Sequence, residues 1–527
     1  MNQHGLRFDT DRRPFLRALM AGAALTATVC TRTLAAPPKP EKLNILLIVA
    51  EDMGAQLGCY GDVQVKTPRL DQFANEGVRF ENAFVTQASC SPSRSSILTG
   101  LYPHQNGQLG LAHYGFRIPK GLPNIPRLLK AAGYRTGIMG KLHVNPESEF
   151  PFDFRGTAHG KTRDVRATAK TAAEFMGQNG EKPFFLYLNF ADAHTPLSNQ
   201  VAGEPKVPTK AADVIPWPFL GVDTPDLRKR VAGYYNCVRR VDLGVGLTLD
   251  ALQEAGHAED TLVIFIGDHG PPFCRGKTTC YEAGLRIPFI VRWPAKSKAG
   301  LVSNQLISTI DLLPTIAEAA GAPCPAGLPG ESLSRLLTGT PAPWRKTLFA
   351  GFTNHGPTGY FPQRSIRDSR YKLIANLLAD DRGHPGGPVD GCPAFKLSQT
   401  EACTDKKVVA AYKMMKAPPP EELYDLQADP AELTNLAGRP ELNEVQTRLR
   451  AALQDWRTRT QDPTTTAAGL AALTRFQDQA KAQIKKRIAA GKAKAKKEGR
   501  AFRRRDFHRC SQLKATYFVP TAPRETK

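Results

Sequence analysis

Asn44-Ile45-Leu46-Leu47-Ile48-Val49-Ala50-Glu51-Asp52 sets an aliphatic run of strand length directly before two carboxylates. A run with no polar alternation reads as a strand covered on both faces, as in a parallel sheet. Phe184 to Phe190, Leu262 to Gly267 and Pro288 to Trp293 repeat that character. Helical patterns separate them at Pro68 to Glu76, Ile125 to Ala132 and Leu227 to Glu254. Strand and helix in alternation predict an α/β sandwich built on a large, mostly parallel sheet. Ligands of such folds collect beyond the carboxyl ends of the strands. Glu51-Asp52 and Asp268-His269 each follow one of these strands directly. One acidic pair after a strand is usually a helix cap or a solvated loop. Two pairs after two strands point to a site.

The pattern changes after Trp344. Short strand-like pieces at Ser365 to Asp368 and Tyr371 to Leu377, then a helix from Glu441 to Thr458, predict a smaller α+β domain. The expected organisation is an address segment at 1–35, a large body at 36–345, the α+β domain at 346–462 and a tail at 463–527. From Leu470 to Lys527 the tail holds 17 Lys/Arg against 4 Asp/Glu, so it supplies +13 of the formal net charge of +22. The body is only mildly basic. The tail is expected to be helical or disordered over Ala480 to Lys497.

The N-terminus carries Asp11-Arg12-Arg13-Pro14-Phe15-Leu16-Arg17, then an apolar stretch from Ala18 to Cys30 and Leu34-Ala35-Ala36. Paired arginines, a short apolar region and small residues at a cleavage point predict a twin-arginine export signal, cut after Ala35. An N-terminal membrane anchor is the alternative. No other segment approaches membrane-spanning length, so stable membrane insertion is not expected. In an oxidising compartment Cys274/Cys280 and Cys392/Cys403 are near enough in sequence to pair. No Cys-x-x-Cys spacing suggests a structural zinc site.

The sharpest local signal is Cys90-Ser91-Pro92-Ser93-Arg94, followed by Leu98-Thr99-Gly100. A lone cysteine before proline is usually a buried hydrophobe or a disulfide partner. This longer pattern resembles the modification sequence of type I sulfatases, in which a formylglycine-generating enzyme converts Cys to formylglycine (3-oxoalanine). The similarity runs from about Leu43 to about Leu436 and includes Glu422-Leu423-Tyr424-Asp425-Leu426. It implies an alkaline-phosphatase-like α/β sandwich with a smaller C-terminal domain. It also implies a nucleophile: one hydroxyl of an aldehyde hydrate attacks sulfur, and deprotonation of the other expels sulfate.

By the same resemblance Glu51, Asp52, the modified Cys90, Asp268 and His269 hold Ca²⁺, with Mg²⁺ as the other hard cation that oxygen-rich ligation suits. Glu51 departs from the family's usual Asp, and His269 stands where many members carry Asn. Arg94 pairs with the hydrate oxygens. Lys141 and His143, in Gly140-Lys141-Leu142-His143, bind sulfate and orient or deprotonate the hydrate. His194, in Asp192-Ala193-His194, and Lys277, in Gly276-Lys277-Thr278, are the implied proton donors to the leaving group.

Within the family the heparan N-sulfatase (sulfamidase) branch is most similar, through His104-Gln105-Asn106-Gly107, the segment Lys141 to Phe154 and Tyr371-Lys372-Leu373-Ile374-Ala375-Asn376-Leu377. That branch implies N-sulfoglucosamine in heparin-like glycans as substrate, with contacts at His104 and His355. An O-sulfatase of another sulfated polysaccharide and a formylglycine-dependent phosphonate or phosphodiester hydrolase stay open. The tail, with Lys485-Lys486-Arg487 and Arg503-Arg504-Arg505, is either solvated or a docking arm for a polyanion; no specific nucleic acid is implied.

Overall fold

The structure is a computed structural model of the chain and describes residues 42–178, 182–356, 359–379, 389–503 and 506. The expected export signal, Arg504, Arg505 and the last part of the tail lie outside the described residues.

Eight strands form the large sheet: β1 (Asn44–Ala50), β2 (Val78–Phe84), β3 (Arg135–Gly140), β4 (Phe154–Ala158), β5 (Phe184–Phe190), β6 (Thr261–Gly267), β7 (Phe289–Arg292) and β8 (Leu301–Ser308). Their order is β4-β3-β5-β1-β6-β7-β2-β8. β1 lies at the centre, parallel to β5 on one side and to β6 on the other. Only β7 runs against its neighbours. All seven residues of β1 are buried, which explains the unbroken aliphatic run that follows Asn44.

The two-residue period of the strands divides those side chains between two layers. Ile45, Leu47 and Val49 join Ile264, Ile266, Ile97 and Leu98 on one face. Leu46, Ile48 and Ala50 join Val263 and Phe265, with Val231, Val238 and Val245 of the helix Pro225–Glu254, on the other. The expected sandwich is therefore observed.

A second, antiparallel sheet comprises β9 (Leu348–Phe352), β10 (Gln363–Arg367), β11 (Tyr371–Asn376) and β12 (Glu421–Asp425), in the order β12-β11-β10-β9. The helix Asn443–Arg459 covers it through Leu449, Leu453 and Trp456. The border expected at 345/346 marks a change of topology rather than a gap. Leu348, Ala350, Phe352, Ile374 and Tyr424 belong to the same apolar cluster as the large sheet, and the described residues from Lys42 onward form one compact unit. The tail, expected as helix or disorder, is helical from Ala467 to Lys497.

The eight described cysteines are free thiols, and the pairing expected from short spacing needs correction. Cys274 lies against Cys392, its Sγ 3.7 Å from the Cys392 carbonyl oxygen. Cys280, six residues on, is instead buried beside Ser365 and Lys372 of the second sheet. The turn between them sends the two side chains into different layers, since Cys274 and Cys280 belong to separate apolar clusters.

Candidate active site

Parallel strands end on one edge, and four of them deliver the site. β1 leads into Glu51 and Asp52, β6 into Asp268 and His269, β3 into Lys141 and His143, and β5 into the loop carrying His194. Backbone bonds tie these ends together: Glu51 N donates to the carbonyls of Phe190 (3.1 Å) and Asp192 (3.0 Å), and Asp268 N to that of Ala50 (2.9 Å). Gly140 makes the close approach of β3 to β5 possible. Its φ is +82°, and a Cβ there would sit 2.2 Å from the Asn189 carbonyl oxygen.

Cys90 is the first residue of the helix Cys90–Thr99, all ten residues of which are buried. Its Sγ lies 3.4 Å from His269 Nε2, 3.9 Å from Glu51 Oε1 and 4.0 Å from Asp52 Oδ1. Ligand-type atoms of Asp52, Cys90, Asp268 and His269 all fall within 4.8 Å of one another, as do those of Glu51, Asp52, Cys90 and His194. His269 Nδ1 is 2.9 Å from the Gly270 carbonyl, which can only accept. Nδ1 therefore carries a proton, and Nε2 turns toward Asp52 at 3.1 Å. Burial disfavours the charged ring, but Asp268 and Asp52 outweigh it and raise its pKa to about 9, so Nε2 is protonated too unless a cation takes that proton's place. Glu51 Oε2 is buried with no hydrogen-bond partner. Carboxylate oxygens, an imidazole nitrogen and an orphaned acceptor fit a hard divalent cation.

Cations surround this acidic cluster. Arg94, fully buried, donates from Nε to Asp268 (3.0 Å) and from Nη1 to Asn189 Oδ1 (2.6 Å), and its Nη2 has no partner. Lys141 bonds to Glu51. Lys277 bridges Asp52 (2.8 Å) and Asp390 (2.9 Å). Burial favours the neutral carboxyl of Glu51, but Lys141, His194, His159 and Arg94 outweigh it and hold the group well below the usual carboxylate range. Burial likewise disfavours the charged Lys277, yet Asp52 and Asp390 keep it protonated.

His143 is half-buried at φ +54°. Its Nε2 is 3.0 Å from His113 Nδ1, and its own Nδ1 has no partner. Burial, Lys141 and His113 push this imidazole well below its ordinary value, so it is neutral near pH 7. His194 Nδ1 faces the Thr195 carbonyl at 2.8 Å, leaving Nε2 3.9 Å from Glu51. Arg163 positions that loop through bonds to Asp192 and to the His194 carbonyl (2.6 Å). His355 reaches the site through Ser89, next to Cys90, at 2.9 Å.

The predicted residues Glu51, Asp52, Cys90, Arg94, Lys141, His143, His194, Asp268, His269, Lys277 and His355 are thus brought together. His104 is not. It is buried between the body and the second domain, stacked on Tyr102, edge-on to Trp456, with Nε2 2.9 Å from Thr460 Oγ1. It is a packing residue rather than a substrate contact. Burial lowers its pKa from 6.5 to about 4. Below pH 6.5 the unfolded chain takes up this proton first, so stability falls with pH until about 4, by about 3 kcal/mol. His104→Gln is expected to flatten that slope in thermal-melt series from pH 7 to 4, with turnover unchanged. A steep slope retained in the variant, or a turnover loss at unchanged stability, would contradict this assignment.

Comparison with known proteins agrees with this geometry. The sulfatase family model matches residues 43–322, and the model of the C-terminal region of N-sulphoglucosamine sulphohydrolase matches 267–382. The chain belongs to the sulfatase family. This sulfatase is accordingly an enzyme of the sulfuric-ester-hydrolase class. It is 35% identical over 462 residues to N-sulphoglucosamine sulphohydrolase of Homo sapiens, covering 80% of this chain and 91% of that protein. An ulvan-active sulfatase of Formosa agariphila is 33% identical over 424 residues, covering 79% of this chain and 80% of the relative. Among solved structures, one in complex with its substrate D-glucosamine-2-N,6-O-disulfate superposes with a TM-score of 0.61 at 21% identity. That match covers 80% of this chain and 99% of the other, and it supports the fold.

Residues that the sequence reading missed complete the site: His113, His159, Arg163, Asn189 and Asp390. Asn189 is the lone amide in the otherwise apolar β5, a signal that was readable. His113, Arg163 and Asp390 stand in 3-10 turns of three residues and His159 in the turn after β4, all too short to show periodicity.

Proposed function

We propose that this sulfatase hydrolyses the sulfamate of N-sulfoglucosamine in heparin-like glycans after export along the twin-arginine route. Its Cys90 would be converted to formylglycine by a formylglycine-generating enzyme. The observation that carries the reading is the cationic pocket of Arg94, Lys141 and Lys277, gathered with a hard-cation ligand set around one buried cysteine. For the sulfamate, support comes from the 35% identity to the human N-sulphoglucosamine sulphohydrolase and from the match to that enzyme's C-terminal region. Among the described residues no helix is long and apolar enough to cross a membrane.

Glu51, Asp52, Asp268 and His269 would hold Ca²⁺ or Mg²⁺. When present, the aldehyde hydrate supplies the attacking hydroxyl and the cation supplies positive charge beside the sulfate. Lys141 and Lys277, both held protonated, neutralise the sulfate oxygens. His143, kept neutral by burial, accepts a proton beside Cys90. His194, with Nδ1 fixed on the Thr195 carbonyl, offers Nε2 as the group that protonates the departing amine. Scission of an S–N bond requires that protonation.

The 33% identity to an ulvan-active sulfatase favours a second reading, an O-sulfatase of another polysaccharide. Rates on glucosamine N-sulfate, glucosamine 6-O-sulfate, aryl sulfate and aryl phosphate separate these readings. The N-sulfate is expected to lead in kcat/KM by at least about 100-fold. Dominant O-sulfatase or phosphatase turnover would overturn the proposal.

A further inference from the structure

The basic helix Ala467–Lys497 has two unlike halves. Of its buried positions, Leu473, Gln477, Ala480 and Ile484 recur at the spacing of a single helical face, and Ala495 is buried near its end. The first half is wedged against the rim of the active site. Leu473 packs with Leu109, Phe116, Tyr360 and Phe361, and Phe476 meets the Phe116 ring at 6.3 Å. Thr474 and the Tyr360 hydroxyl are 2.9 Å apart. Gln477 Oε1 accepts from Asn354 Nδ2 at 2.5 Å. These partners come from two short segments. One runs from Leu109 to Phe116 and contains His113, which bonds to His143. The other supplies Asn354, Tyr360 and Phe361, and Asn354 adjoins His355, which bonds to Ser89.

The second half is strongly cationic, with Ala480, Ile484 and Ala495 as its buried positions. Between Gln477 and Glu498 it holds eight Lys/Arg against the single acid Asp478. Lys485, Lys486, Lys492, Lys496 and Lys497 are exposed. Lys494 is paired with Glu498 at 3.8 Å. Like charges three and four residues apart destabilise a helix. So dense an array is unfavourable in isolation and is relieved by an extended polyanion. From Gln477 to Lys497 the helix rises about 30 Å, enough to accompany several units of a polymer.

We propose that this half is a docking rail for the non-reacting sulfates of a glycan chain whose reacting residue lies at Cys90. The inference rests on the sulfated-glycan reading above and adds a binding surface outside the catalytic pocket. The rail raises the local concentration of polymer at the site and does not touch the reacting atoms.

The test compares the full chain with Lys485→Glu/Lys486→Glu, two exposed positions outside both the catalytic machinery and the packed face. Calorimetric titration with a long heparin fragment is expected to show about tenfold weaker binding and a shallower salt dependence in the variant. Binding of a heparin disaccharide and turnover of glucosamine N-sulfate should stay at wild-type values. Unchanged affinity for the long fragment would overturn the rail. So would weakened binding of a DNA duplex with heparin binding unmoved, which would assign the surface to nucleic acid. If neither protein turns over glucosamine N-sulfate, the sulfamate reading fails, while the difference in long-chain binding still decides the rail.

Discussion

Cys90→Ala is expected to lower kcat on any sulfate ester or sulfamate by at least about four orders of magnitude while the fold stays intact. The two halves of that expectation have separate causes. The thiol is 2% exposed and lies among Glu51, Asp52 and His269 without anchoring any of them. Asp268 still holds the buried Arg94, and Lys141 still meets Glu51. Losing one small side chain should therefore cost no more than about 2 kcal/mol of stability. The chemistry has no ready substitute: among the described residues the side chains bonded to Lys141, Lys277 and Arg94 are the carboxylates Glu51, Asp52, Asp268 and Asp390, the Asn189 amide and the Tyr187 phenol. Cys90→Ser separates simple nucleophilic attack from attack by a modified residue. A serine can take sulfate from the substrate but cannot expel it, so a single slow turnover at most is expected. Peptide mass analysis of the wild-type protein should find aldehyde at position 90. A fully active protein with an unmodified thiol, or an Ala variant above about 1% of wild-type turnover, would remove Cys90 from the centre of the mechanism.

The buried centre of this molecule could be read from the chain because each central strand carries its environment on both faces. β1, β5 and β6 are buried at every position, so their sequences are almost wholly apolar, with Asn44, Asn189 and Thr261 as the polar exceptions. The carboxylates and histidines then stand out by following them directly. β2 and β8 escaped notice for the converse reason. They pair near the sheet edge with a register shift between Phe80 and Asn82, and polar residues such as Asn82, Asn304 and Gln305 interrupt their apolar pattern. Asp390 could not have been found either. It sits 113 residues from Lys277 and meets it only because the second domain folds back over the Lys277 loop. The same return brings Cys392 to Cys274 and defeats pairing by proximity in sequence. His104 was misjudged for a different reason: a motif reports shared fold as readily as shared chemistry. Its segment matters because Tyr102, His104 and Trp456 form the joint between the two sheets.

Asp52→Asn is the substitution expected to separate the cation from the rest of the pocket. Asp52 follows β1 at φ +53°, where asparagine is tolerated as well as aspartate, so the backbone should not object. Its Oδ1 faces His269 Nε2 at 3.1 Å, and its Oδ2 accepts from Lys277 at 2.8 Å. Asparagine keeps the size, removes the charge and can present only one carbonyl oxygen. Lys277 remains paired with Asp390 at 2.9 Å, and Arg94 with Asp268, so neither cation is stranded in the interior. The loss should therefore appear as function rather than as unfolding. Calcium affinity by calorimetry is expected to fall by at least about 100-fold and kcat/KM on an aryl sulfate by at least about 1000-fold. Chelating the wild-type enzyme should reproduce the activity loss, and calcium should restore it. Excess calcium should restore the Asn variant only in part, because the carboxylate also shapes the Lys277 ammonium. A wild-type enzyme indifferent to chelation, or a variant with undiminished calcium affinity, would mean that Glu51, Asp52, Asp268 and His269 balance the pocket's own cations and hold no ion of their own.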